Sequence, residues 1–272
     1  MFGMPDPTPY DLKFRLLGIP ARVTPWFWLG AIMIGPHEPR LALVFIPCVL
    51  FSILVHEFGH GLMAKGFGYH PQIALFALGG LCAYEGPRQT PMRRLAILAA
   101  GPGAQFLLLL LVMVIGNAAL GISWSDYPGY ALGFLGLGDG GLPFTPPAAM
   151  SLEFYGFGRL IFRYLFYINW LWPLLNLLPI WPLDGGQMTQ VVLIQANPRN
   201  GARWSHIVSM LVAGLLVAFL LSRFKAGEGE GEFLRILFFA WFVLMNYQML
   251  QAYHSRYVQH GYEDDESDWW KR

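Results

Sequence analysis

Two histidines and a glutamate lie at the end of a long apolar run in the stretch FSILVHEFGHGLMAKGFG, residues 51–68. His56 and His60 have i, i+4 spacing, so on a helix both imidazoles lie on one face, one turn apart, where they can bind the same metal ion. Glu57 is rotated by about 100° around the helix axis, so it can approach a water at that metal without being a ligand. Ionisable groups at membrane depth cost about 2.5–3.5 kcal/mol each on insertion scales, and they usually serve a function.

The H-E-x-x-H pattern by itself stays a hypothesis, because it also arises by chance and because histidines in apolar helices can simply hydrogen bond to neighbouring helices. Zinc in catalytic sites takes three protein ligands and one water. The pattern supplies two of these ligands, so a zinc enzyme requires a third ligand elsewhere in the chain.

A second stretch, NWLWPLLNLLPIWPLDGGQ at residues 169–187, is the candidate source of that ligand. Its prolines remove backbone donors and end a helix, and Gly185 and Gly186 let the chain turn and approach its neighbours closely. A broken helix at membrane depth is tolerated only where it lines a cavity or is buried in protein. Asp184 projects from this break, although Asp-Gly-Gly is also an ordinary turn sequence, so its assignment as a ligand depends on the histidine pattern.

The two stretches together resemble the site-2 protease family of intramembrane zinc metalloproteases, peptidase family M50. The resemblance implies that His56, His60 and Asp184 hold one Zn²⁺ per chain and that Glu57 is the catalytic glutamate. It also suggests that Asn176 holds substrate or stabilises the oxyanion, although an asparagine there can equally cap or bridge helices.

The resemblance covers most of the chain, from about residue 14 to the region after residue 187. Relatives often show Gly-Pro followed by an asparagine where this chain has AGPGAQ, residues 100–105. Gln105 therefore departs from the family pattern, and the glycines can equally serve close helix packing. With no inserted peptide-binding domain and no appended regulatory domain visible, we expect a single membrane-embedded metalloprotease domain over residues 1–272.

The elements that must position these residues are predicted to be membrane helices. The chain is 55% hydrophobic and only 13% charged, whereas soluble domains carry about 25% charged residues. The predicted fold class is therefore α-helical membrane protein, and no basic cluster suggests nucleic acid as a partner. About six transmembrane helices are predicted, the first of them shorter than the roughly 20 residues that a perpendicular span needs: 25–36, 41–65, 91–116, 157–178, 201–222 and 232–252.

The distribution of Lys and Arg predicts the orientation of these spans. With the N-terminus in the cytoplasm, cytoplasmic segments hold twelve Lys and Arg and the opposite side holds six, which favours both termini inside by the positive-inside rule. We expect an integral multi-pass protein, in the cell membrane if the source is bacterial. In this orientation the second and fourth spans both run inward, so His56 and Asp184 reach a similar depth.

Short strands are predicted beside the helices. Residues 12–24 are predicted to form two strands, and Gly79-Gly80 predicts a hairpin turn within residues 69–85. These segments would form a small β-sheet near the cytoplasmic face, and the hairpin at about 72–84 could bind an extended substrate as an added strand. We assign 41–187 to the catalytic core, 201–252 to accessory transmembrane helices, and 253–272 to a mobile tail.

The leading hypothesis for function is an intramembrane zinc endopeptidase whose partners are the lipid bilayer and transmembrane protein substrates. One alternative is a catalytically silent relative that binds zinc and membrane helices as a scaffold or chaperone. Another is a metal-ion transporter, which would need further ligands along a path across the membrane. The sequence leaves open the substrate, the cleavage position, the need for a prior cut, the membrane, the oligomeric state and the role of the 117–156 loop.

Overall fold

Helices make up most of the chain in the computed structural model, which describes residues 4, 6–77, 79–86, 89–134, 152–223 and 230–264. The described strands form one four-stranded sheet. The chain divides into two compact units, residues 1–175 and 176–272, and each has its own packing.

The sheet belongs to the first unit. Its strands are β1 (Leu12–Leu16), β2 (Ile19–Val23), β3 (His70–Phe76) and β4 (Gly79–Glu85), in the order β1-β2-β3-β4. Strands β1 and β2 pair antiparallel, β2 and β3 pair parallel, and β3 and β4 form an antiparallel hairpin. The predicted N-terminal strands and the predicted hairpin are thus confirmed as parts of one sheet, in which β3 is central and β4 is an edge strand.

The hairpin turn does not lie where the glycines predicted it. Phe76 pairs with Gly79, so the chain reverses before Gly79, and Ala77 has φ +44°. Gly79 and Gly80 instead begin β4. The physical reason is close packing, because a Cβ on Gly80 would lie 2.6 Å from Oε1 of Glu57.

Prolines begin three helices of the first unit, and a glycine ends one of them. They are α1 (Pro25–Ile34), α2 (Pro39–Gly66), α3 (Pro91–Leu120), α4 (Tyr127–Phe134) after a short 3₁₀ turn, and α5 (Leu152–Asn176). Proline occupies the start of α1, α2 and α3, where its missing N–H has no helical partner in any case. Gly121 ends α3 in the left-handed conformation, with φ +67°. In α5 the backbone kinks at Gly156.

The core of the first unit surrounds α2. Phe45 and Ile53 of this helix are at most 2% exposed, and they belong to one apolar cluster with Ile73 and Leu75 of the central strand. The same cluster includes Tyr164 of α5. Helix α2 therefore packs against both the sheet and α5.

The second unit consists of α6 (Asp184–Ala196), α7 (Gly201–Arg223) and α8 (Glu230–Asp264). Helix α6 was not predicted, since two glycines in its first turn weaken the helical pattern. These glycines are required by packing: a Cβ on Gly185 would overlap the carbonyl of Leu177, and one on Gly186 would overlap the Ile180–Trp181 peptide.

Four described helices are long and apolar enough to cross a membrane: α2, α3, Gly201–Ser222 of α7 and Phe233–Tyr253 of α8. Helix α1 has 10 residues and counts as a shorter apolar helix, and α5 is not among the four. Six spans therefore stay a prediction. Helix α8 continues to Asp264, into the stretch predicted to be a mobile tail, and residues 265–272 lie outside the described residues.

Candidate metal centre

The histidine pair lies on the buried face of α2. His56 and His60 are 3% and 6% exposed, and their rings meet edge to face with centroids 4.7 Å apart. The two Nε2 atoms are separated by 3.1 Å. Both rings therefore direct the same nitrogen to one point, one helical turn apart.

The outer nitrogen of each ring has a fixed partner. Nδ1 of His60 lies 2.7 Å from the carbonyl oxygen of Ile97, which can only accept, so Nδ1–H is the donor. Nδ1 of His56 lies 2.9 Å from Oε1 of Gln105. In the neutral rings these contacts leave the lone pair on Nε2, and the Nε2 atom of each histidine faces that of the other.

Gln105 is held so that its oxygen faces His56. Its Nε2 donates to the Ser52 carbonyl at 3.3 Å and to Oδ1 of Asn169 at 3.4 Å, so Oε1 is left to accept from the imidazole. Asn169 in turn donates to the Ser52 hydroxyl at 2.9 Å. Gln105 and Asn169 are 0% exposed. This buried network joins α2, α3 and α5 and fixes the tautomer of His56.

The donor set of the histidine pair fits zinc. Two nitrogen lone pairs 3.1 Å apart repel each other unless a proton or a cation lies between them. Two Zn–N bonds of about 2.0–2.1 Å at a tetrahedral angle separate the nitrogens by about 3.3 Å. Metal-bound histidines also donate their other N–H to a carbonyl or similar acceptor, as both rings do here.

Small residues bring α3 against the histidines. A Cβ on Gly101 would overlap the His60 imidazole, and one on Gly59 would overlap the Ala100 carbonyl. Gly101 of α3 and Gly59 of α2 therefore allow the two helices to approach closely, so that Ile97 and Gln105 reach the two rings.

Glu57 lies next to the edge strand of the sheet. It is 5% exposed, and the backbone of Gly80 passes directly against its carboxylate. A buried carboxylate beside a strand with an unpaired edge is placed where an extended peptide could add to that strand. The first unit therefore combines the histidine pair, a candidate proton acceptor and an edge strand beside it.

The other two predicted site residues belong to the second unit. Asp184 is the first residue of α6 and is 8% exposed. Its carboxylate lies in the first helical turn, where the helix dipole favours negative charge. Asn176 is the last residue of α5 and is half-buried.

Sequence analysis missed several residues of the centre. Asn169 and Ser52 were not assigned, and the role of Gln105 was left open. Each is a polar residue inside an apolar helix, which is the signal that could have identified them. Gly80 was predicted to be a turn residue. Its packing role depends on a contact with Glu57, which the sequence does not show.

Comparisons with known proteins agree with this chemistry. A family model described as Peptidase family M50 matches residues 44–221. Two curated relatives carry the provisional name zinc metalloprotease. The protein sll0528 of Synechocystis sp. is 27% identical over 249 residues, and Rip3 of Mycobacterium tuberculosis is 26% identical over 202 residues. These alignments cover 85% and 72% of this chain but only 57% and 42% of the relatives, so the chain spans about half of their length.

A solved structure shares the fold. The structure described as Site-2 Protease from Methanocaldococcus jannaschii aligns with a TM-score of 0.52 and 18% sequence identity. The alignment covers 89% of this chain and 95% of that one. At this identity the similarity concerns the fold alone.

Proposed function

Since the chain belongs to peptidase family M50, we propose that it is an intramembrane zinc endopeptidase that cuts membrane-anchored proteins in or near their transmembrane segments. The observation that carries this proposal is the histidine pair, whose Nε2 atoms lie 3.1 Å apart while both Nδ1 atoms are occupied by acceptors. The four apolar helices support a membrane location. About six spans, with both termini in the cytoplasm, remain part of the proposal.

The proposed zinc ligands are Nε2 of His56, Nε2 of His60 and the carboxylate of Asp184. Three protein ligands leave one open position, as in other catalytic zinc sites. The burial of Asp184 supports this role, because a carboxylate is one of the ligands that zinc takes beside histidine nitrogens in catalytic sites. Zinc, when bound, supplies Lewis acidity toward water and toward a peptide carbonyl.

Glu57 is proposed as the general base and acid. Its carboxylate takes a proton from the attacking water as the water oxygen bonds to the peptide carbonyl carbon. It then gives that proton to the leaving nitrogen as the C–N bond breaks. We propose that Asn176 hydrogen bonds to the substrate or to the oxyanion, a role that its position before the Pro-rich turn supports.

The substrate is proposed to add to β4 as an extended strand. A transmembrane helix must unwind before its carbonyls can be attacked, and a strand edge replaces its lost backbone hydrogen bonds. Strand β4 is the edge next to Glu57, whereas Ile73 and Leu75 lie in the central strand and are 1% and 0% exposed. Proline at either of those positions would break the sheet core, so such a variant would lose activity whether or not β4 binds substrate.

The proposed activity predicts that Glu57→Gln abolishes cleavage and leaves zinc bound. The amide keeps the shape of the side chain but cannot accept the proton, so we expect a loss of at least about 10²-fold in kcat. Cleavage of a transmembrane peptide by the purified protein, together with metal analysis of the same samples, measures both quantities.

The alternatives give different results in the same assay. A wild-type protein that binds zinc and cuts no membrane peptide would support the scaffold hypothesis. Metal flux into vesicles that is unchanged by Glu57→Gln would favour a transporter. His56→Ala, which removes a proposed ligand, is the control that should lose both zinc and cleavage.

A further inference from the structure

Side chains of α7 and α8 bind the main chain of the turn that precedes Asp184. Nδ2 of Asn246 donates to the Trp181 carbonyl at 2.8 Å, and the Trp181 N–H donates to Oγ of Ser209 at 2.9 Å. Asn246 and Ser209 are 0% exposed. Backbone polar groups outside a helix are costly in apolar surroundings unless they are satisfied, and these two side chains satisfy both groups of Trp181.

His206 holds the Asn246 amide in one orientation. Nδ2 of Asn246 also donates to the Phe242 carbonyl at 2.9 Å, so its Oδ1 must be an acceptor. Nδ1–H of His206, 2.8 Å away, is therefore the donor to that oxygen. The His206 ring is 2% exposed and meets the Trp181 ring edge to face, with centroids 5.5 Å apart.

The turn transmits the position of Trp181 to the start of α6. The Leu183 N–H donates to the Ile180 carbonyl at 2.8 Å, and Nε2 of Gln187 donates to the Pro182 carbonyl at 3.0 Å. Gly186 packs so closely against the Ile180–Trp181 peptide that a Cβ there would overlap it. A shift of the Trp181 main chain must therefore move the first turn of α6.

We propose that Asn246, Ser209 and His206 are positioning residues that fix the turn at residues 177–183 and, through it, the direction of the Asp184 carboxylate. This inference rests on the proposed function, in which Asp184 is a zinc ligand. Asn246 lies beyond residues 44–221, the part of the chain that the family model matches. Helix α8 thus contributes to the metal centre from outside the matched region, without touching the metal.

The test compares Asn246→Leu with Gln251→Leu in the purified full chain. Both changes replace a carboxamide on α8 by leucine, but Gln251 is exposed and, among the described residues, bonds locally to the Tyr247 hydroxyl at 2.7 Å. Zinc affinity is measured by competition with a chromophoric chelator, and the Co²⁺-substituted protein is examined by its ligand-field absorption. We expect Asn246→Leu to weaken zinc binding by about 10–100-fold and to change the Co²⁺ bands, with kcat reduced more than KM is raised. Gln251→Leu should match the wild type.

A folded Asn246→Leu protein with wild-type zinc affinity and Co²⁺ spectrum would overturn the inference. If this variant does not fold, Ser209→Ala decides, compared with Ser222→Ala, which removes a similar hydroxyl–carbonyl bond near the far end of α7. Ser209→Ala should weaken zinc binding by about tenfold, the lower end of such effects, while Ser222→Ala should not.

Further variants test the role of His206 and the proposed ligand Asp184 separately. His206→Asn keeps a donor near the position of Nδ1 and should rescue zinc affinity relative to His206→Leu; equal loss in both would contradict the role of His206. Asp184→Asn tests the proposed ligand set itself. Unchanged zinc affinity in Asp184→Asn refutes that ligand set, whereas a loss there with none in Asn246→Leu or Ser209→Ala refutes only the positioning role.

Discussion

At the scale of single residues, the tautomers of the histidine pair are set by acceptors on α3. His60 uses a main-chain carbonyl, which no side-chain substitution can remove, whereas His56 depends on the Gln105 side chain. Gln105 stands where relatives often have an asparagine after Gly-Pro. Its side-chain amide accepts a hydrogen bond from His56 and donates to the Ser52 carbonyl and to Asn169. Because Gln105 bonds to His56 and is not itself a proposed ligand, it allows the proposed metal centre to be tested independently of the ligands.

Gln105→Leu should weaken zinc binding by about 10–100-fold without removing a ligand, because His56 loses the acceptor that fixes its Nδ1–H. Chelator competition on the purified protein measures this change. Asn117→Leu is the control on the same helix, since Asn117 bonds to the Ile122 carbonyl, away from the histidines. Equal zinc affinity in folded Gln105→Leu and wild type would show that the network does not tune the metal centre.

At the scale of elements, the decisive contact is between α2 and the edge strand β4. Gly80 is the point at which this strand meets Glu57, and Cys82 follows on the same face near Gly61 of α2. Because side chains alternate along a strand, Gly79 faces the other side, where the nearest atom to a Cβ would be on Trp172, at 3.8 Å. Two neighbouring glycines therefore have different packing constraints.

Gly80→Ala should lower kcat by about 10²-fold with zinc retained, because the added methyl group displaces either Glu57 or the strand by a large fraction of an ångström. Gly79→Ala should keep near wild-type kcat, since its methyl group meets only an ordinary van der Waals contact. Steady-state cleavage of one transmembrane peptide by both variants measures the difference. Loss of zinc in Gly80→Ala, or equal kcat in both, would contradict the placement of Glu57 against β4.

At the scale of the whole molecule, the family match begins within α2 and ends within α7. Strands β1 and β2 and helix α1 precede the match, and α8 follows it. These flanking elements contact the matched region, because β2 pairs with β3 and Asn246 of α8 donates to the Trp181 carbonyl. The orientation of the molecule in the membrane remains a prediction from its charges.

The two ends of α2 provide a test of that orientation. In a Cys48→Ala, Cys82→Ala background that retains cleavage, we expect His37→Cys to react with an impermeant maleimide added to intact cells. Gly66→Cys, at the other end of α2, should react only after the membrane is permeabilised. His37 is exposed and Gly66 has no atom within 4 Å of a built Cβ, so both positions accept a cysteine. The reverse labelling would contradict the predicted orientation of α2.

The sequence by itself determined the histidine pattern, the Pro-rich break before Asp184, the apolar helices and the existence of the sheet. These features are local, because they depend on spacing within one helix, on composition or on turn residues. The tertiary structure decided that Gln105 holds His56, that Gly80 packs on Glu57, that β4 is the edge, and that Asn246 holds Trp181. The bonded pairs His56–Gln105 and Trp181–Asn246 are 49 and 65 residues apart in sequence. No local pattern encodes such contacts, since they arise only when separate helices pack.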